Sequence, residues 1–318
     1  MRTTCVSIID LHCILLARGF LPQLHLVTLS KSLYLPGTNG VQLAATSFGA
    51  SEQTVLLLHG AGQTRHSWRH AGGLLAQSGW NAISIDTRGH GESDWPENGD
   101  YSIDTLMGDL KSVVEHLHSS GKRKPILVGA SLGGMTSLLV EGESEEQIFE
   151  ALILVDITPK IEQSGVVRII EFMNRHQNGF NSVDEAAAAV ARYQSHRRDV
   201  SKKSDGKRAQ AVSGLKKNLR QGEDGRYYWH WDPRLMQHVS GLGETLYQRQ
   251  LNAASKLTLP VLLIRGQQSE IVSSESAREL LELVPHAKYT DIADAAHMVA
   301  GDNNDVFVRS VLEFIGEA

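Results

Sequence analysis

A serine set between glycines, a histidine near the chain end and three carboxylates at strand ends are the residues whose types could work together chemically. Ser131 stands in "ILVGASLGGMTSLL" (126–139), where an apolar run meets glycines and then turns helical. A serine hydroxyl is a poor nucleophile until a base takes its proton, and that base needs an acid to orient it. His297, in "ADAAHMVAGD", is the candidate base. Histidine is abundant here, with 14 in the chain, so its position is what singles it out. It follows a small-residue turn, after the last expected strand and before the last expected helix. The candidate acids are Asp156 in "LILVDITP", Glu270 in "LLIRGQQSEIVS" and, more distantly, Asp294. Together such groups would perform nucleophilic catalysis through a covalent intermediate.

The glycines around Ser131 bear on whether this is a site at all. The G-x-S-x-G spacing, entered from a strand and left by a helix, is the pattern of a nucleophile elbow. A side chain at Gly129 or Gly133 would collide with the neighbouring strand or helix, so glycine lets the turn push the hydroxyl out above a sheet. The competing view is a plain glycine turn with Ser131 capping the next helix.

These residues need a scaffold. "SLYLPGTNGVQLAATSFG" reads as a hairpin around a Gly-Thr-Asn-Gly turn. "TVLLLHG" (54–60), "NAISIDTRG" (81–89), "KPILVGA" (124–130), "EALILVDI" (150–157) and "PVLLIRG" (260–266) are short apolar runs of the kind buried on both faces of a parallel sheet. Helical patterns lie between them, at 65–77, in "SIDTLMGDLKSVVEHLHSSG" and in "SLGGMTSLLVEG". A short strand "AKYTDIA" and an amphipathic helix "DVFVRSVLEFIGEA" close the chain. The alternation predicts an α/β fold with a mostly parallel, doubly wound sheet. It stops between residues 158 and 257, which are charged and helical in pattern. The expected organisation is an N-terminal extension (1–30), a core (31–157 and 258–318) and a helical cap (158–257) inserted after the sixth strand. Ligands bind at the carboxyl ends of such strands, where this cap emerges.

In order and at ordinary spacings, "LLLHGAGQTRHSW", "IDTRGHGES", "GASLGG", "VDITP", "IRGQQSEIVS" and "AHMV" resemble the α/β-hydrolase superfamily, especially its lid-bearing, esterase-like members. The resemblance covers residue 31 to the end. It implies Ser131 as nucleophile and His297 as base. It implies an oxyanion hole of two backbone amides, Leu132 and Ala61, with Gly60 and Gly62 letting the loop bend inward. The commonest family pattern places its acid four positions into G-x-x-D after the strand 260–266; here that position is Ser269, followed by Glu270. A subset of the family uses an aspartate in a "V-D-I-x-P" segment instead, and this favours Asp156, with Glu270 as the alternative acid. The function it implies is a carboxylic-ester hydrolase acting through an acyl-enzyme on small to medium acyl esters. Perhydrolysis, lactone, thioester or C–C bond hydrolysis use the same triad, and a catalytically silent receptor shares the fold. Ser131 argues against dehalogenase and epoxide hydrolase chemistry, which in this family use an aspartate nucleophile. No cofactor or metal is implied.

Around this set, Trp68, Trp229, Trp231 and Met298 are candidate pocket walls, with core packing as the alternative for each. His59 is expected to brace the loop rather than act as a second base. Asp86 and Arg88 are expected to shape a loop, with Arg88 retained as a substrate contact. The Lys- and Arg-rich stretch from Arg192 to Arg220 lacks a nucleic-acid motif and reads as a solvated lid face. A net charge of −5 gives no pull toward nucleic acid or an anionic membrane. Two cysteines, Cys5 and Cys13, supply no disulfide framework, which fits a reducing compartment and a cytoplasmic location. Residues 1–30 are apolar in patches, but Asp10 and His12 interrupt them and no clean cleavage site follows. The expected partner is a small-molecule ester, with no nucleic acid or membrane.

Overall fold

Five strand segments in this chain contain almost nothing but apolar residues, and a sheet can use such strands only if both its faces are covered. The computed structural model, which describes residues 30–194, 215–239, 243–293, 295 and 304–317, places them so. The sheet has eight strands: β1 (Ser30–Pro36), β2 (Gln42–Phe48), β3 (Thr54–Leu58), β4 (Asn81–Ile85), β5 (Ile126–Ala130), β6 (Ala151–Val155), β9 (Val261–Gly266) and β10 (Lys288–Ile292). Their order is β1-β2-β4-β3-β5-β6-β9-β10. β1 and β2 form the expected hairpin, turning through Asn39 and Gly40 at positive φ, and β2 runs antiparallel to β4. From β4 to β10 every pairing is parallel.

The pleat sends alternate residues to opposite faces. Leu56 and Leu58 of β3 join one core with helices α2 (Ile103–Ser119), α3 (Leu132–Gly142), α7 (Glu244–Ala254) and α8 (Ser274–Leu283). Val55 and Leu57 join the other with α1 (Arg69–Gln77) and α9 (Asn304–Ile315). The fold class expected from the strand–helix alternation is therefore observed.

The insertion follows β6, as expected, but its content and its end differ. It holds α4 (Gln163–Arg175), α5 (Val183–Gln194) and α6 (Leu235–Val239), together with an antiparallel ribbon of β7 (Leu219–Gln221) and β8 (Tyr227–Trp229). Three-residue strands are too short to stand out as a pattern. Met173, Phe180, Leu219, Trp229, Trp231 and Leu235 give this layer its own apolar cluster. Residues 244–257 instead pack as core. Gly142 of α3 lets α7 approach so closely that a Cβ there would lie 2.3 Å from the Ala253 carbonyl. Leu246, Ala253, Ala254 and Leu257 are buried in the first core, so the boundary expected at residue 257 lies before α7. The expected N-terminal extension falls, but for Ser30, outside the described residues, as does most of the basic stretch. Among the described residues no helix is long and apolar enough to cross a membrane.

Candidate active site

One residue separates β5 from α3, and it is Ser131. A parallel strand that turns at once into a helix forces that residue into unusual backbone geometry: Ser131 has φ 49° and ψ −115°. Conformations of this kind cost about 1–3 kcal/mol and persist only where the surroundings impose them. Here the Ser131 N–H donates to the Val155 carbonyl (3.2 Å), and its own carbonyl accepts from Met135 N–H (2.9 Å). The glycines do what the sequence suggested. A Cβ on Gly129 would stand 2.6 Å from the Gly134 backbone, and one on Gly133 would stand 2.7 Å from the Leu58 carbonyl oxygen. Ser131 occupies the N-cap position of α3, yet its hydroxyl makes no capping bond. Capping does not account for the serine.

The loop after β3 lies against it. A Cβ on Gly60 would be 3.1 Å from the Ser131 Cβ. Among the described residues neither the Ala61 nor the Leu132 amide has a hydrogen-bond acceptor. Two buried histidines hold the loop. His59 Nε2 accepts the Thr87 amide (3.1 Å), leaving Nδ1–H to donate to the Gly60 carbonyl (2.8 Å). His90 Nε2 accepts the Gly62 amide (3.1 Å), and its Nδ1 faces the Arg88 carbonyl (3.1 Å). Burial pushes the His59 pKa down to about 4. Burial, with the neighbouring His59, pushes that of His90 to about 3. Both rings are neutral near pH 7, and each needs its unprotonated nitrogen as an acceptor. His59 is thus a brace; His90, unremarked in the sequence, is a second one. The φ of 77° is what favours glycine at Gly62, and Met173 of α4 brings its flexible terminal Cε to 2.8 Å of where a Cβ would stand.

Strand register sets out the rest of the row. Ala130 pairs with Val155, and Val155 with Ile264, so Asp156 follows β6 between the elbow and the end of β9. Asp156 is fully buried, with φ 51° and its N–H donating to the Ile264 carbonyl (2.8 Å). Its Oδ1 accepts the Gly266 amide (3.1 Å) and its Oδ2 accepts the Ser269 hydroxyl (2.6 Å). Glu270 pairs with Arg168 of α4 (3.4 Å) and is 17% exposed. His297, Met298 and Asp294 lie outside the described residues. Ala295, two residues before His297 in the sequence, is placed: its carbonyl accepts Gln268 N–H (2.9 Å) beside the loop that carries Ser269.

The tryptophans separate. Trp68 is buried behind the sheet against Phe307 (ring centroids 5.7 Å apart), in the second core, so its place as a pocket wall is corrected. Its spacing from Ala71 and Leu75 is that of one helix face, a signal that could have placed it. Trp229 packs within the cap against Phe172 and Phe180. Trp231 bridges His90 through its backbone and brings its Nε1 near Gly62. Arg88 is 1% exposed, with its guanidinium on both oxygens of Asp109, so it is not a substrate contact. Asp86 takes the Arg65 amide and guanidinium, which also reaches Glu92. Among the described residues no cluster of His, Cys, Asp and Glu could hold a metal ion.

A model of the α/β hydrolase fold matches residues 53–303. Esterase Rv0045c of Mycobacterium tuberculosis is 28% identical over 291 residues, covering 87% of this chain and 88% of that protein. The sn-1-specific diacylglycerol lipase ABHD11 of Danio rerio is 26% identical over 277 residues, covering 84% and 80%. Among solved structures, E-2-(acetamidomethylene)succinate hydrolase superposes with a TM-score of 0.76 over 91% of this chain and all of its own, at 21% identity, a likeness of fold. With the elbow, the braced loop and the strand order in place, the match assigns the chain: it belongs to the α/β hydrolase fold family.

Proposed function

We propose that the protein is a serine hydrolase that cleaves carboxylic esters of small to medium acyl chains through an acyl-enzyme. The observation that carries this is the backbone of Ser131, held at positive φ with its hydroxyl uncommitted to capping, one strand from the buried carboxylate of Asp156. The named activities of the esterase and lipase relatives support an ester as substrate. In this scheme His297 takes the hydroxyl proton as Ser131 Oγ attacks the carbonyl carbon. Asp156 holds the imidazole and offsets its positive charge. The Ala61 and Leu132 amides receive the oxyanion, roughly 3 kcal/mol of transition-state stabilisation for each donor. The tetrahedral intermediate expels the alcohol, which takes its proton from His297. Water then attacks the acyl-enzyme with His297 as base, releasing the acid and restoring Ser131.

The cap supplies the acyl side of the pocket: Ala61 packs against its apolar cluster, with Met173 and Trp231 at Gly62. No cofactor enters the scheme. A chain-length series of p-nitrophenyl esters tests it with wild type and Ser131→Ala. Turnover that peaks at short to medium chains and vanishes in the variant is expected. A folded wild type that neither turns over the esters nor reacts with a fluorophosphonate probe would instead identify a catalytically silent binding protein.

A further inference from the structure

Ser269 sits where its side chain looks chemically idle, in the loop after β9. Its hydrogen bonds are specific. Its Oγ accepts the Ile271 amide (3.1 Å) and the Val272 amide (3.0 Å). A hydroxyl has two lone pairs and one proton. With both lone pairs engaged by backbone donors, the proton has one direction left, and Asp156 Oδ2 lies 2.6 Å along it. The loop behind it is fixed from three sides. Ser269 N–H donates to the Gly266 carbonyl (2.9 Å), Glu162 N–H to the Ile271 carbonyl (2.8 Å), and Arg265 Nε–H to the Val272 carbonyl (2.7 Å).

We propose that Ser269 is a positioning residue: its pre-aimed hydroxyl locks the Asp156 carboxylate in the orientation that receives the catalytic base. The inference rests on Asp156 serving as the triad acid. Gly266 N–H holds Oδ1 and the Ser269 hydroxyl holds Oδ2, so a donor on each oxygen sets the plane of the carboxylate. Among the described residues the Ser269 hydroxyl bonds Asp156 and the amides of its own loop, so its proposed effect passes through Asp156.

That dependence is testable by a double-mutant cycle, read as the rate of fluorophosphonate labelling and as kcat and KM on p-nitrophenyl acetate. Ser269→Ala should slow labelling and lower kcat by about tenfold to a hundredfold, the range a hydrogen bond to a charged group is worth. KM should change less than about twofold. Ser269→Thr, which keeps the hydroxyl, should restore most of the rate. In an Asp156→Asn background, Ser269→Ala should add less than about twofold, since the group it orients is already neutral. Thermal midpoints separate lost positioning from lost folding. Wild-type labelling by Ser269→Ala beside a crippled Asp156→Asn overturns the inference alone. So does a full-sized Ser269→Ala effect that persists in the Asp156→Asn background. Wild-type labelling by Asp156→Asn overturns the acid assignment beneath it.

Discussion

Ser131 and Asp156, at adjacent strand ends, both hold positive φ without being glycine. At Ser131 the side chain is what the strain serves, so relieving the strain should gain stability and remove activity. Ser131→Gly and Ser131→Ala should both be inactive, but the glycine variant should be the more stable, by about 1 kcal/mol after the entropy glycine adds to the unfolded chain. Differential scanning calorimetry of the two variants measures this. Asp156→Asn should lower kcat by about 10³- to 10⁴-fold, as neutralising an orienting aspartate does elsewhere, while Glu270→Gln stays near wild type. Steady-state kinetics on one ester decides between them, and the reverse ranking would return the acid role to Glu270. The serine was legible in the sequence because the glycines around it record where backbone has no room for a side chain. Ser269 was not: a serine cannot orient an imidazolium, and seeing that it orients the carboxylate requires knowing that β6 and β9 are neighbours.

At the scale of elements, the loops after β3 and β4 are cross-linked by His59 and His90, each through a nitrogen that must stay unprotonated. Both histidines have pKa values well below the ordinary 6.5 in the folded protein. The unfolded chain therefore binds protons first as the pH falls. Stability contributed by the neutral rings is intact above about pH 6.5 and declines as the pH drops toward about 4. Urea unfolding between pH 7 and pH 4.5 should show this loss, and a His59→Gln/His90→Gln pair, less stable at pH 7, should show a shallower slope. Strand and helix positions were readable from hydrophobic period to within a few residues, because each core layer enforces one. The ribbon of β7 and β8 was hidden by its length, and the packing of α7 on the core by the polar sequence around it. Trp68 was misjudged because its distance along the chain from the loop after β3 said nothing of the turn that carries it behind the sheet.

Across the whole molecule, the far end of the cap is stitched to the core. Gly91 N–H donates to the His230 carbonyl (2.7 Å), and Asp232 N–H to the Gly89 carbonyl (2.8 Å). The buried Asp232 carboxylate accepts the Tyr101 hydroxyl (2.6 Å) and pairs with Arg234. Asp232→Ala leaves the Tyr101 hydroxyl and the Arg234 charge without this partner. It should cost about 2–4 kcal/mol and let limited trypsin digestion nick the cap before the core.

The pairing of β6 with β9 has a further consequence. These strands touch although about 100 residues of chain intervene, and closing a loop of that length costs only about 0.6 kcal/mol more for each doubling. The sheet is therefore nearly indifferent to how much chain lies between α4 and α6, as long as Asp156 and the core-packed α7 are kept at its two ends. Cap length and sequence can drift, shrink or be exchanged while the hydrogen bonds between strand ends are kept. Under the proposed function, in which the cap lines the acyl side of the pocket, substrate range would be an exchangeable trait, separable from the chemistry beneath it.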